Sequence, residues 1–417
     1  MPKTSSGADP VLRHVPARAI VAAVADAAER WRDADFPPRV RATAAIEARL
    51  GYTIPTIDYA LDRLFDGLSV PVLSGAIARE LGAVEALDGV VARGAGPPAW
   101  ARGVDRVTIV SSDTTIGVAI PPLAYALCAK CRVTVKDRND ALVAAFAETL
   151  AEALPALRDA IDVRAWSGGN DAIEAAAFGD AGVVVAFGGP DALRAIRAAC
   201  APDATFVPFG HRASAGYVDR AAFDRDLAPL AAAIARDALL YDGDGCLSLH
   251  LLFVERDGGD GLQRLARALA DAAAATAIEF PPGRRDPARA ATAAAFGAAA
   301  AFRAANGRGS ALRAPDGAWT IVVDPPDDEL PPFGGGTIPL IPVDGPAGAA
   351  AYVGRHGLPL QAVGVAPAFG DAAAAELAEA LGAVRVAPFG TLQIPPLDGH
   401  HGGRQRIAGF VRWIDLA

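Results

Sequence analysis

VDRVTIVSSDTTIGVAIPPLAYALCAKCRVTVK, residues 104–136, reads as strand, polar turn, helix and strand. A β-branched run at 104–110 gives way to serine, aspartate and threonine, then to a helix over 121–129 opened by paired prolines, then to a second apolar strand at 133–136. Short apolar strands joined by a single helix form parallel pairs, because a parallel connection needs a long crossover. The same alternation runs outward from here. Strands are expected at 161–166, 183–187 and 205–207, with helices at 139–154, 171–177 and 190–199. This predicts an α/β fold with a doubly wound parallel sheet covered on both faces. Such a sheet binds ligands at the carboxyl ends of its strands.

Upstream, residues 17–91 carry apolar side chains at helical spacing in the runs ARAIVAAVADAAERWRD, RVRATAAIEARL, IDYALDRLF and SGAIARELGAVEAL. This helical extension is expected to cover a sheet, and a Gly/Pro-rich break at 93–98 separates it from the alternating region. Downstream, strands are expected at 213–218, 249–254, 319–323, 339–343 and 360–365, with helices at 221–240, 262–277, 345–355 and 371–381. The Ala-rich run 288–305 favours helix. Residues 281–286 and the Pro/Asp run 324–336 read as surface loops. A domain boundary is placed near Phe209.

The 417 residues are too many for one ordinary core and suggest two domains. Four cysteines, Cys128, Cys131, Cys200 and Cys246, form no spaced framework of the secreted kind, which favours a reducing, cytoplasmic setting. The N-terminal stretch lacks an apolar core of the signal type, and no run is long and apolar enough to span a bilayer. A net charge of −9 without a basic block argues against nucleic acid as partner.

Candidate chemistry centres on LLYDGDGCLSLHLLFVE, residues 239–255. Glycines and aspartates at 242–245 deliver Cys246 to the mouth of an apolar strand, held in place yet open to a ligand, as a thiolate nucleophile requires. The plainer alternative is a small buried apolar residue. Lys136 ends the second strand, where it can reach the hydroxyls or phosphate of an adenosine ribose lying across the sheet. Gly188 and Gly189 separate a strand from a helix and suit the approach of a pyrophosphate to that helix's N-terminus. Among the histidines, His211 stands where a base or acid near Cys246 would sit. His250 alternates with apolar neighbours and reads as a satisfied core residue, while His400 and His401 lie in a glycine-rich loop that could line a cleft. His14 and His356 read as surface. The Cys128-x-x-Cys131 pair has no second pair and no nearby histidine, so it reads as packing, with no metal site.

Taken in order, these segments resemble the aldehyde dehydrogenase superfamily, and within it the LuxC-type acyl-CoA reductases, the fatty-acid reductases of bacterial luminescence. The resemblance rests on 113–136, on the turn Phe187 to Pro190, on Phe209-Gly210-His211-Arg212, on GCLSLHLLFVE and on the C-terminal LGAVRVAPFGTLQIPPLDGHHGG and GFVRWIDL. It implies two doubly wound α/β domains with the active site in the cleft between them. Residues 1–209 would be the helical extension plus an NAD(P)-binding Rossmann-like domain, 210–386 the nucleophile domain, and 387–417 a segment packing back near the cleft. It also implies reduction of an acyl thioester, on CoA or a carrier, to an aldehyde through an acyl-cysteine on Cys246. The superfamily's oxyanion asparagine is replaced by Asp113, and its general-base glutamate by Pro208. Loss of the base fits hydride reduction, which needs no activated water, and also fits a degenerate, non-catalytic carrier-binding subunit. An aldehyde dehydrogenase running oxidatively is the same-fold alternative. The cofactor set is Ser111, Lys136, Arg138, Gly188 and Gly189. Asn139 replaces the family's ribose-binding glutamate and Arg138 adds a cation, so NADPH is expected ahead of NADH. A homo-oligomer is compatible with this reading.

Overall fold

A computed structural model describes residues 12–94, 96–112, 114–137, 141–169 and 171–416. The chain forms two compact units. The first is 1–49, 57–210 and 396–417, and the second is 50–56 and 211–395.

In the first unit, helices α1 (Ala17–Arg32), α2 (Pro37–Leu50), α3 (Ile54–Asp66) and α4 (Val70–Leu81) form the expected extension. Strands follow at β1 (Val91–Arg93), β2 (Gly96–Gly103), β3 (Arg106–Val110), β4 (Arg132–Lys136), β5 (Ile161–Arg164), β6 (Val183–Phe187) and β7 (Thr205–Phe209). The helices among them are α5 (Ile120–Cys128), α6 (Leu142–Ala153), α7 (Asp171–Gly179) and α8 (Pro190–Ala199). Apolar residues Ile20, Val24, Ala27 and Trp31 bury one stripe of α1. α1 packs mainly on α4, α5 and α6, so it lies over helices that cover the sheet. Trp31 is fully buried, packs against Phe65 and Phe146, and donates its indole N–H to Thr149 Oγ1 at 3.1 Å, which satisfies its polar atom.

The five-stranded sheet of this unit has the order β5-β4-β3-β6-β7, all parallel. The chain winds outward from β3 in one direction and then in the other. Its topological switch point therefore lies at the carboxyl ends of β3 and β6.

The Gly/Pro-rich stretch expected to be a break instead holds β1 and β2, which join the C-terminal β15 (Val411–Asp415) in an antiparallel sheet ordered β1-β2-β15. Pro97 and Pro98 are tolerated because they begin the strand, where the ladder uses the Pro98 carbonyl, accepting from the Leu416 N–H at 2.9 Å.

The second unit is built on a seven-stranded sheet. Its strands are β8 (Ala213–Val218), β9 (Leu249–Glu255), β10 (Ser310–Arg313), β11 (Thr320–Val323), β12 (Thr337–Val343), β13 (Leu360–Val365) and β14 (Val386–Pro388), in the order β10-β11-β12-β9-β8-β13-β14. All pairs are parallel except the β10–β11 hairpin. Helices α9 (Ala228–Leu239), α10 (Gly261–Glu279), α11 (Pro287–Ala305), α12 (Pro346–Arg355) and α13 (Asp371–Leu381) complete the unit. Leu252 and Val254 enter one apolar cluster with residues of α9 and α10, whereas Leu251 and Phe253 enter another with residues of α12 and α13. Burial on both faces explains the nearly unbroken apolar run of β9. The helix expected over 221–240 is shorter: a 3₁₀ turn at Arg220–Asp224 precedes α9, which starts beside Pro229, a residue with no N–H to continue an earlier helix. No helix among the described residues is long and apolar enough to cross a membrane.

Candidate active site

In the second unit, α9 ends at Leu239 and the chain turns through Tyr241 (φ 57°), Asp242 (φ 53°) and Gly243 (φ 74°). Left-handed backbone is costly for residues with a Cβ and persists only where the surroundings enforce it. The turn carries Cys246, an exposed thiol just before β9. Its backbone is hydrogen-bonded at successive points. Asp244 N–H donates to Tyr241 O (3.0 Å), Gly245 N–H to Ser248 Oγ (3.0 Å) and Ser248 N–H to Gly245 O (2.9 Å). From β8, Ser214 Oγ donates to Cys246 O at 2.7 Å.

His250 closes the network. Ser214 N–H donates to its Nδ1 at 3.1 Å, so Nδ1 is unprotonated, and the proton on Nε2 is then donated to Gly243 O at 3.1 Å. Burial holds this imidazole neutral, lowering its pKa to about 4. Read from sequence as core, His250 is indeed buried, and it also ties the amino end of β8 to the turn that carries Cys246.

Three influences act on the Cys246 thiol: crowding by protein pushes it above its ordinary value, while its own backbone amide and the charge of Arg212 pull it down. Arg212, whose Nη1 donates to Leu360 O at 3.2 Å, was quoted for the resemblance but given no role from sequence. His211 beside it is exposed, and among the described residues no hydrogen bond or ion pair joins it to Cys246. The remaining cysteines are less accessible. Cys128 and Cys131 are fully buried, which pushes the Cys128 thiol up to about 12 and the Cys131 thiol higher still. Half-buried Cys200 spends its thiol on Ile196 O. No cluster of metal-binding side chains occurs among the described residues.

The first unit gathers the other candidates at the carboxyl ends of its strands. Ser111 follows β3 and is buried, its N–H donating to Lys136 O at 3.0 Å. Gly188 and Gly189 join β6 to α8. A Cβ on Gly188 would meet only Ala192 Cβ at an ordinary 3.5 Å, so the chain's own packing does not demand glycine there. Lys136 is buried, with Nζ 3.6 Å from Glu174 Oε1 and 4.8 Å from the Trp166 ring centre. Among the described residues the buried Trp166 indole N–H has no hydrogen-bond partner. A buried ammonium beside an orphaned donor suits an oxygen-rich ligand such as a ribose or phosphate. Glu174, on α7, carries no sequence signal beyond being an isolated acid on an Ala-rich helix. His401 stacks on Phe209 at 4.2 Å and on Phe187 at 5.9 Å, and burial lowers its pKa to about 4, so it packs as a neutral ring over the ends of β6 and β7. Asp113, Arg138 and Asn139 lie outside the described residues.

The sequence model of the family described as acyl-CoA reductase (LuxC) matches residues 12–413. The chain belongs to the LuxC acyl-CoA reductase family. It is an oxidoreductase acting on acyl or aldehyde groups, as the resemblance implied. Solved structures share its fold at low identity. A NAD-dependent benzaldehyde dehydrogenase from Corynebacterium glutamicum is 17% identical with a TM-score of 0.67, over 97% of this chain and 86% of that one. An E. coli NADP-dependent enzyme is 16% identical with a TM-score of 0.70, over 98% and 88%. Aldehyde dehydrogenase 21 from Physcomitrella patens is 14% identical with a TM-score of 0.70, over 98% and 87%. The family member thus has the aldehyde dehydrogenase-like α/β fold expected from sequence. A search of curated proteins found no match.

Proposed function

We propose that the protein reduces an acyl thioester, borne by CoA or a carrier, to an aldehyde through an acyl-cysteine on Cys246. One observation carries the assignment of the nucleophile: of the four cysteines, Cys246 alone is exposed, and it sits on a turn whose backbone is fixed from both sides. The Cys246 sulfur attacks the thioester carbonyl, its proton leaves with the carrier thiolate, and the C–S bond to the carrier breaks as that to Cys246 forms. Arg212 favours the thiolate in this step. The Cys246 backbone N–H is the donor that this unit offers to the developing oxyanion.

A reduced nicotinamide, when bound, supplies the hydride that converts the acyl-cysteine to a thiohemiacetal. The residues present fit such a cofactor. Ser111, Gly188 and Gly189 flank the switch point, and Lys136 with Trp166 offers donors to an adenosine ribose. Among the solved structures that share the fold, one enzyme is NAD-dependent and another NADP-dependent. We take NADPH as the preferred form because the sequence sets a second cation, Arg138, two residues after Lys136 and the neutral Asn139 where the family has a ribose-binding glutamate. Collapse of the thiohemiacetal releases aldehyde and returns the sulfur.

Intact mass after incubation with acyl-CoA and no reductant tests the nucleophile. The expected result is one acyl adduct, absent from Cys246→Ala. An unchanged adduct in that variant, or labelling confined to another cysteine, refutes the assignment. Aldehyde release from acyl-CoAs with NADPH or NADH then tests the direction: oxidation of aldehyde without any reduction of thioester favours the oxidative alternative.

A further inference from the structure

The left-handed residues Tyr241 and Asp242 need an external restraint, and the structure supplies one from the loop before α11. Arg285 grips the Asp242 carboxylate with two bonds, Nε to Oδ2 at 2.6 Å and Nη2 to Oδ1 at 2.7 Å. The same guanidinium donates to Gly317 O and Ala318 O, both at 2.8 Å. One planar group thus joins the nucleophile turn to the β10–β11 connection, and both members of the pair are largely buried, where charge-assisted bonds are least screened. The glycine run preceding β12 closes against the same turn. A Cβ on Gly334 (φ 81°) would lie 2.4 Å from Asp244 Oδ1, and one on Gly336 (φ 71°) would lie 2.2 Å from Ala318 O and 3.0 Å from Arg285 Nη2. Asp244, the next acidic residue, is held in turn by Arg289 at 2.8 Å.

We infer that Arg285 is a positioning residue for the nucleophile, its guanidinium holding the strained turn in the conformation that aims Cys246. The inference rests on the reading of Cys246 as the acylated residue. Arg285 touches no reacting atom and acts through Asp242. A lysine cannot replace it, because an ammonium offers no planar fork to span a carboxylate and two carbonyls. Misplacement of a reacting group by about 1 Å costs on the order of 100-fold in rate.

The test is the rate of acyl-adduct formation at Cys246 in the full chain, by intact mass and peptide mapping, for parent, Arg285→Ala and Arg285→Lys. Guanidinium ion is added to each at a concentration that leaves the parent unaffected. Both variants are expected to acylate roughly 10- to 100-fold more slowly than the parent. Added guanidinium should restore much of the loss in Arg285→Ala and little in Arg285→Lys, where the ammonium fills the space. A role confined to stability would lower the unfolding midpoint without this rescue. Parent-like acylation in Arg285→Ala, or slowing that guanidinium leaves untouched in a folded Arg285→Ala, overturns the inference. If Arg285→Ala does not fold, Arg285→Lys decides, and parent-like acylation in that variant overturns it. A parent labelled at another cysteine refutes the nucleophile assignment and this inference with it, whereas a parent labelled at Cys246 and unchanged variants refute the clamp alone.

Discussion

Replacing His250 with leucine would break both ties between β8 and the turn that carries Cys246 while keeping a side chain of similar bulk. Two buried backbone groups lose their partners, the Ser214 N–H and the Gly243 carbonyl. Each unsatisfied buried group costs about 1–3 kcal/mol, so the variant is expected to be less stable at neutral pH by roughly 2–6 kcal/mol. The gap between parent and variant should also depend on pH. The His250 pKa is lowered from 6.5 to about 4, so the unfolded chain binds a proton that the folded one refuses. Its neutral form therefore contributes stability in full above pH 6.5, and that contribution is lost as pH falls through the window from 6.5 to about 4. The size of the shift corresponds to roughly 3 kcal/mol. Urea unfolding followed by circular dichroism, at neutral pH and again near the lower end of the window, measures the gap directly. It should narrow on acidification by an amount of that order, because leucine does not titrate and every other group is common to both proteins. A gap that stays constant across the window, or a variant as stable as the parent at neutral pH, would show that the imidazole is not the neutral bridge described here.

Three further outcomes are expected. Glu174→Gln removes a carboxylate 3.6 Å from Lys136 Nζ, so the ratio of NADPH to NADH use should rise severalfold, while Arg138→Ala should lower it; equal ratios in all three proteins would show that the 2′-phosphate is not read at this end. His211→Ala should slow acylation and shift its pH profile if that exposed imidazole takes the thiol proton, and a profile matching the parent removes it from the mechanism. Gly334→Ala places a methyl against Asp244 in a backbone conformation that alanine resists, and should lower both stability and the rate of Cys246 acylation; parent-like kinetics would show that the glycine run is not coupled to the turn.

The alternation of strands and helices was legible because the central strands of the two large sheets, β3, β4, β6, β8, β9, β12 and β13, are short, apolar and mostly buried, and their connecting helices are long enough to show their period. The missed strands lack that signal. β1 is three residues long and largely exposed, the start of β2 is exposed and rich in glycine and proline, and β15 alternates only weakly; β2 and β15 pair across some 300 residues, Val411 against Gly103 among them. Such pairings are set by tertiary contact and leave little local trace. The hairpin strand β10 is likewise half exposed, with no apolar face of its own.

At the candidate site the same division holds, for a different reason. Cys246 could be picked out because the glycines and aspartates before it mark a tight turn, and tight turns are written in local residue types. What holds the turn is not local. Asp242 and Arg285 stand 43 residues apart, and Gly334 and Asp244 twice as far, so neither contact has a periodicity or spacing to betray it. His250 was disguised in another way: a histidine between leucines in a buried strand satisfies the pattern of a core position, and only the geometry of Ser214 and Gly243 shows that both ring nitrogens are in use. Glu174 shows the converse for the first unit. A carboxylate beside the strand-end lysine was sought three residues along the chain, where Asn139 stands, yet the one found beside Lys136 comes from α7. Chemistry that the fold needs at a point in space can be supplied from whichever element reaches it, so the absence of a residue from its usual place in sequence does not establish the absence of its charge from the site.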